Sequence, residues 1–384
     1  MNRKTKFIIL ELIVACALVG ILFCLMIPEF LAAQTINTPR NIPDPNFRKV
    51  IEDFMGVEPG GQISAKEAAA KTGGISCISK FIHNIKGIEY FTGITGFNCS
   101  CNPLNVNPDI SKNTALTDFR CRSSLVTHLD LSKNRALTII DCFDNNLTTL
   151  DLSNNTALVE LECGHNSLTS LDLSKNTLLE KIRCGENRLT TLDVSQCVLL
   201  TDLSCYSNQL SRLDVSNNTA LINLGCSRNH LTSLDLSQHS VLERLGCSEN
   251  QLMTLDVSRN TALTALYCGG NHMEMLDLAR NTALTEIHCT SSPLTALDVS
   301  NCIALKSLYL SSNQLEAIPD LTHNTLLDTL DLRDNNLDYS NWSRIEELLE
   351  RLSPPAFHDA RENHLKSGFA YSPQRGLDLF DEAE

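Results

Sequence analysis

A cysteine returns every 21 residues through the middle of this chain, and that interval restricts the fold more than any other feature of the sequence. Cys121, Cys142, Cys163, Cys184, Cys205, Cys226, Cys247, Cys268 and Cys289 keep it without slippage. Cys99 opens the series at a step of 22. Leu310 and Leu332 take over the same position at the end, again 22 apart because Pro319 is inserted. The stretches beginning at Leu158, Leu179 and Leu221 repeat one frame, which amounts to about a dozen coils. Self-similarity at this period means a solenoid, in which one coil cannot bury its own apolar face and draws its stability from its neighbours. A length of 384 residues would otherwise suggest two or three domains, but a solenoid lengthens without splitting into separate cores.

Each class of repeat position has a physical task. The leucines on either side of the cysteine point inward and stack on their copies. The segment Leu-x-Cys is predicted as a short strand, and successive strands form a parallel sheet with ~4.8 Å spacing. Asn166, Asn187, Asn208, Asn229, Asn250 and Asn271 follow their cysteines by three residues, where an amide side chain satisfies backbone groups of adjacent coils. Ser124 and Ser292 are weaker substitutes at that position. Disulfides need Cβ atoms ~3.8 Å apart, and metal sites need convergent ligands. The cysteines therefore read as buried reduced thiols serving as small hydrophobes. Cys197 and Cys302 occupy a different position, normally Asn, and Cys77 and Cys101 precede the regular coils; these four are less constrained.

Asp130, Asp151, Asp172, Asp193, Asp214, Asp235, Asp256, Asp277 and Asp298 form a second periodic row. Either they line up cation sites, or each accepts backbone N–H bonds in its own turn with its charge in water. The second reading is preferred, because calcium-binding solenoids place several Asp per coil together with glycines.

Ahead of the repeats, Asp44-Pro45 is a helix start. Phe47, Val50, Ile51 and Phe54 recur at helical spacing up to a stop at Gly56. Ser64-Ala-Lys-Glu67 is a capping box that opens a second short helix. Ile78, Ile82 and Ile85 lead toward the first strand. After the last coil, Ile345, Leu348, Leu349 and Leu352 have helical spacing behind Ser343, and with Trp342 they are expected to seal the solenoid before Pro354-Pro355.

The repeat resembles that of the leucine-rich-repeat family, and within it the internalin type with a cysteine ladder, over roughly residues 42 to 340. The stretches Ile42 to Arg48 and Gly87 to Phe91 resemble the helical cap of the same proteins. The resemblance implies a horseshoe with a parallel β-sheet on its concave face, closed by helical caps. It also implies a bacterial surface protein that binds molecules of a host or a neighbouring cell. Some relatives carry a calcium loop between the cap helices. Here that stretch, Val57 to Ile63, holds one carboxylate, and no calcium is expected there.

Arg3, Lys4 and Lys6 precede an apolar run from Phe7 to about Ile27, near the ~20 residues that span a bilayer. One reading is a cleaved signal with Ala32 and Ala33 near the cut. The other is a retained anchor. Phe7 to Leu12, Val19 to Leu22 and Ile27 to Phe30 resemble the N-terminal helix of type IV pilins and pseudopilins, although Lys6 stands where that family has Gly before the cut. In that family the acid at the place of Glu11 pairs with a neighbouring subunit's amine, so Glu11 is the candidate assembly residue of an alternative, structural role in a pilus-like or secretion-associated assembly. Both readings put the remaining chain outside the cytoplasm. The expected organisation is an anchor or signal segment over residues 1–31, a linker over 32–43, a helical N-terminal cap over 44–95, repeats over 96–340 and a C-terminal cap over 341–384.

A solenoid of this kind recognises partners with the outward residues of its strands. Those before and after each cysteine vary while the frame stays fixed. Phe143, Tyr206, Tyr267 and Tyr309 are the tall aromatic candidates, with Arg120, Arg122, Glu162, Arg183 and His288 as polar ones. The expected partner is a protein or a glycan, with the membrane engaged through the N-terminal helix. A net charge of −14 argues against nucleic acid. The sequence holds no Ser/His/Asp set, HExxH, P-loop or dinucleotide fingerprint, so neither enzyme activity nor a cofactor is expected.

Overall fold

A computed structural model describes residues 35–337. The chain divides into two compact units, residues 1–136 and 137–384. The expected anchor with Glu11 and the expected C-terminal helix lie outside the described residues. Among those described, no helix is long and apolar enough to cross a membrane.

The first unit holds α1 (Pro45–Met55), α2 (Ala65–Ala70), β1 (Gly73–Ser76), β2 (Ile94–Asn98) and β3 (Asp118–Arg120), with a single 3-10 turn at Ile88–Tyr90. Both helices begin where their sequence signals stand. Asp44 Oδ1 accepts the N–H groups of Asn46 and Phe47, and its Oδ2 accepts those of His83 (2.7 Å) and Asn84. One buried carboxylate thus starts α1 and pins a distant turn beneath it. Gly56 ends α1 in the left-handed region at φ 71°. The capping box of α2 is closed by reciprocal bonds between Ser64 and Glu67. In the last turn of α1, buried Glu52 accepts from Asn37 Nδ2 (2.9 Å) and from the Gly60 N–H (2.8 Å). The Asn37 bond is the main cause holding the Glu52 carboxyl below its usual range. The Phe47 ring packs edge-on against Phe97, which stacks on Phe119, so α1 lies over the inner side of β2.

The unit departs from expectation in three places. Residues 35–43 are not a free linker: Ile36 and Ile42 are buried, and the Ile36 N–H bonds the Ile63 carbonyl. The first strand precedes Ile78 instead of following Ile85. β1 pairs in parallel with β2 (Ile75↔Phe97) within the segment expected to be the helical cap. Its sequence, Gly-Gly-Ile-Ser, has one apolar residue and no alternation to show. In consequence Cys77, fully buried, already stands at the ladder position one step of 22 before Cys99.

The second unit is a parallel β-solenoid. Its strands are β4 (Ile139–Asp141), β5 (Glu160–Glu162), β6 (Lys181–Arg183), β7 (Asp202–Ser204), β8 (Asn223–Gly225), β9 (Arg244–Gly246), β10 (Ala265–Tyr267), β11 (Glu286–His288), β12 (Ser307–Tyr309) and β13 (Thr329–Asp331). Each pairs with the next in one register, Leu161↔Ile182 and Leu203↔Leu224 for example, and the extra residue before β13 is absorbed outside the strands (Leu308↔Leu330). The strands sit one residue earlier than Leu-x-Cys, with the leucine central and the cysteine just past the end. The cysteine still joins the ladder: Cys163 N–H donates to Arg183 O at 2.8 Å.

Inside, the thiols of Cys142, Cys163, Cys184, Cys205, Cys226 and Cys247 are fully buried and none is paired in a disulfide. Burial pushes the Cys184 and Cys226 thiols up to about 12 and raises Cys163, Cys205 and Cys247 well above the ordinary range. Cys197 and Cys302 prove equally buried, in a second column that is asparagine in the other coils except for the buried His239. There Asn218 Nδ2 donates to Val194 O (3.0 Å) and Cys197 O (2.7 Å), and Cys197 itself offers its thiol to Asn176 O.

The first asparagine column ties coil to coil. Asn208 Nδ2 donates to the carbonyls of Cys184, Cys205 and Tyr206 at 3.1 to 3.3 Å, and its Oδ1 accepts the Leu189 N–H at 2.9 Å. Asn145, Asn313 and Asn335 extend the column beyond the expected six. Each of these asparagines follows a residue held at positive φ, such as His165, Glu186, Ser207 and Arg228 at 51°, 52°, 50° and 54°. On the exposed side, Asp172 Oδ1 accepts the Ser174 N–H (2.9 Å), and Asp193, Asp214, Asp235, Asp256 and Asp298 repeat the bond. Bonds to the following serine hold these carboxyls below their usual range, so the row is a set of turn acceptors. Among the described residues no group of His, Cys, Asp or Glu converges as a metal site.

Two outcomes test this frame. Asn208→Ala leaves several buried carbonyls unanswered and should cost about 2–4 kcal/mol in chemical denaturation, with Asn208→Ser recovering part of the loss. Alkylation mapped by mass spectrometry should label exposed Cys101 in the native chain, whereas Cys184, Cys205 and Cys226 should react only after denaturant is added.

Candidate functional site

Side chains alternate across a strand, so with Leu203 inward, Asp202 and Ser204 face outward, and Tyr206 follows beyond Cys205. Each coil of the second unit thus presents three outward positions: before the leucine, before the cysteine and after the cysteine. The last two were singled out in the sequence. The first was missed, although strand alternation would have supplied it, and it contains Glu160, Lys181, Asp202, Asn223, Arg244 and Glu286.

The candidates fall into separate groups. Arg120, in the first unit, bonds Asp118 of its own strand (Nε to Oδ1, 3.0 Å), and Arg122 is half-buried beyond the strand end. In the second unit Arg183 pairs with Glu162 and lies 3.9 Å from Asp202, one guanidinium between two carboxylates. Burial raises the Asp202 carboxyl above its usual range against the opposing pull of Arg183. Asn223 Nδ2 donates to the other Asp202 oxygen at 3.3 Å.

Tyr267, His288 and Tyr309 form one stack across β10, β11 and β12, with ring centroids 4.8 and 4.1 Å apart. The Tyr267 hydroxyl donates to Glu286 at 2.8 Å, and the His288 ring meets the other Glu286 oxygen at 2.7 Å. The bond to His288 is the leading cause that keeps the Glu286 carboxyl low. Tyr267 is only 4% exposed. It packs within the face, leaving the half-buried His288 and Tyr309 to meet solvent.

Phe143 and Tyr206 are seated differently. A Cβ on Gly164 would stand 3.1 Å from the Phe143 ring, and one on Gly185 would stand 2.5 Å from the Tyr206 ring. Each ring therefore occupies the space that a neighbouring coil's glycine leaves open, Phe143 over β5's coil and Tyr206 over β6's. His165 stacks on Phe143 (5.8 Å) and bridges Asp144 and Glu186, and the Tyr206 hydroxyl lies 3.4 Å from Glu186. Both rings are half-buried, as His288 and Tyr309 are. The arrangement provides two fixed aromatic surfaces with carboxylates at their edges. It contains no aligned nucleophile and base.

Among solved structures, the chain is similar to the functional domain of InlJ from Listeria monocytogenes, which includes a cysteine ladder. The two are 31% identical over 85% of this chain and 79% of that one, with a TM-score of 0.65. An internalin, InlF, from the same organism is 22% identical over 78% of this chain and 84% of that one, at a TM-score of 0.64. A leucine-rich-repeat protein of Leptospira interrogans is 16% identical over 73% and 94%, at 0.53, a likeness of fold alone. No protein-family model and no curated protein matches the chain.

The glycines separate ring seating from frame integrity. Gly269 lies at the same repeat position, but a Cβ there would meet the Thr290 backbone at 2.5 Å. Gly269→Ala should cost about 1–3 kcal/mol of stability. Gly185→Ala should cost under about 1 kcal/mol, because a side-chain ring can move aside, and should change the Tyr206 fluorescence environment instead. Thermal unfolding and emission spectra of the two variants check the contrast.

Proposed function

The chain belongs to the internalin-type leucine-rich-repeat proteins with a cysteine ladder, and from that premise we propose that it is an extracytoplasmic recognition module binding a protein or glycan partner on the outward, concave face of its strands. The observation that carries the reading is the pair Phe143 and Tyr206. Two half-buried rings lie in the space that glycines of adjacent coils leave open, on a face whose inward side is nearly uniform. Part-exposed aromatic rings seated against the backbone of a neighbouring coil are the kind of residue that anchors an interface. Tyr309 and His288 extend the surface, with Arg183 and Glu162 as polar neighbours. Arg120 and Arg122 belong to the same proposal from the first unit.

The reading is one of binding without catalysis. Residues 1–31, with Glu11, are proposed as the tether or signal that places the module outside the cytoplasm. Residues 44–95 are proposed as the N-terminal cap and residues 341–384 as the C-terminal cap. In support of the latter, Leu330 and Leu332 of the final coil are only half-buried, whereas Leu308 and Leu310 of the preceding one are fully buried.

A binding screen of the purified chain against envelope and host-surface proteins and glycans tests the proposal. Phe143→Ala/Tyr206→Ala should lower affinity at least ~10-fold, as expected for anchors each worth about 1–2 kcal/mol, with thermal unfolding unchanged. Binding that survives both changes and Tyr309→Ala would remove the face from consideration.

A further inference from the structure

Charge is unevenly spread over the outward face of the second unit. Counted with the residue two past each cysteine, the coils of β4 to β7 carry Asp141, Asp144, Glu160, Glu162, Glu186 and Asp202 against two cations, Lys181 and Arg183. The coils of β8 to β12 present Arg228 and Arg244 against Glu249 and Glu286, which balance. The acidic half is also the half with the glycine-seated rings. Arg183 already serves two carboxylates. His165 lies between Asp144 and Glu186, each with its side chain more than two-fifths exposed. A ring face with a carboxylate at its rim attracts a cation twice, through the ring quadrupole and through the charge.

Resting on the recognition reading above, we propose that the face of β4 to β7 takes an extended, lysine- or arginine-bearing segment of a protein partner. Its cationic heads lie over the Phe143 and Tyr206 rings, one of them against Glu186 beside the Tyr206 hydroxyl, its backbone runs across the strands over Gly164 and Gly185, and a further basic side chain meets Glu160, four residues before Gly164. The two rings come from coils three apart and lean over the consecutive coils of Gly164 and Gly185, ~4.8 Å per coil, close enough together for the side chains on one side of an extended segment, ~6.5–7 Å apart, to reach both. A neutral glycan would use the same rings but would gain nothing from the carboxylates.

The test is fluorescence anisotropy of a labelled decapeptide of alternating lysine and serine with the full chain, at two salt concentrations. Glu160→Gln/Glu186→Gln should weaken binding at least ~10-fold and flatten its salt dependence. Gly185→Ala, which moves the Tyr206 ring at constant charge, should weaken it about threefold. Asp172→Asn/Asp235→Asn removes two charges from the exposed turns while keeping an oxygen for the Ser174 and Ser237 N–H groups, and should change it less than about twofold. No binding, or an equal loss in the Asp172/Asp235 pair, overturns the proposal, the second outcome meaning that the peptide senses only net charge. A physiological partner whose binding falls with Phe143→Ala/Tyr206→Ala but ignores Glu160→Gln/Glu186→Gln leaves the recognition face standing and removes the cationic segment. A glycan that behaves this way does the same.

Discussion

Each coil must turn sharply after its strand, and the turn directs main-chain carbonyls into a space that water does not reach. The asparagine amide that answers them is the interaction on which the stack depends. One Asn208 side chain serves carbonyls of two coils and accepts an N–H from the earlier one. It thereby holds the preceding residue in a left-handed conformation that L-amino acids avoid unless the surroundings compensate. Leucine packing drives the coils together but would tolerate sliding. The amide column sets the distance and register at which they stop.

Much of this could be read from the sequence, because a solenoid repeats its reasoning. A position that is leucine in nearly every coil declares itself inward, and one that is asparagine declares a turn. The column of thiols followed from the same periodicity. The first coil escaped notice because Gly73-Gly-Ile-Ser carries a single apolar residue, and a strand with one inward side chain has no period. The segment from Thr35 to Pro43 escaped because its buried apolar residues are only Ile36 and Ile42, six positions apart in a polar, proline-bearing stretch. Neither can be identified without the partner that covers it.

The outward face was less legible, for a related reason. Which residues face solvent follows from alternation, but what each does there depends on its lateral neighbours 21 residues away. Tyr267 looked like an anchor and is instead packed under His288 and bonded to Glu286. Phe143 and Tyr206 hold their places because the next or the preceding coil has a glycine where a side chain would interfere. A frame repeated in every coil beneath a variable surface permits such pairings to change coil by coil, at little cost to the stack beneath.

The column of thiols has a consequence for the chain's history as well as its shape. Stacked coils hide these sulfurs from solvent and from productive pairing with one another. A coil that opens gives up both protections together, and its thiols become partners for any sulfur within reach. Folding therefore works as a deadline: wherever oxidants are present, the stack has to close before the sulfurs react, and a chain that misses that moment is sealed into a tangle that the closed form could never enter.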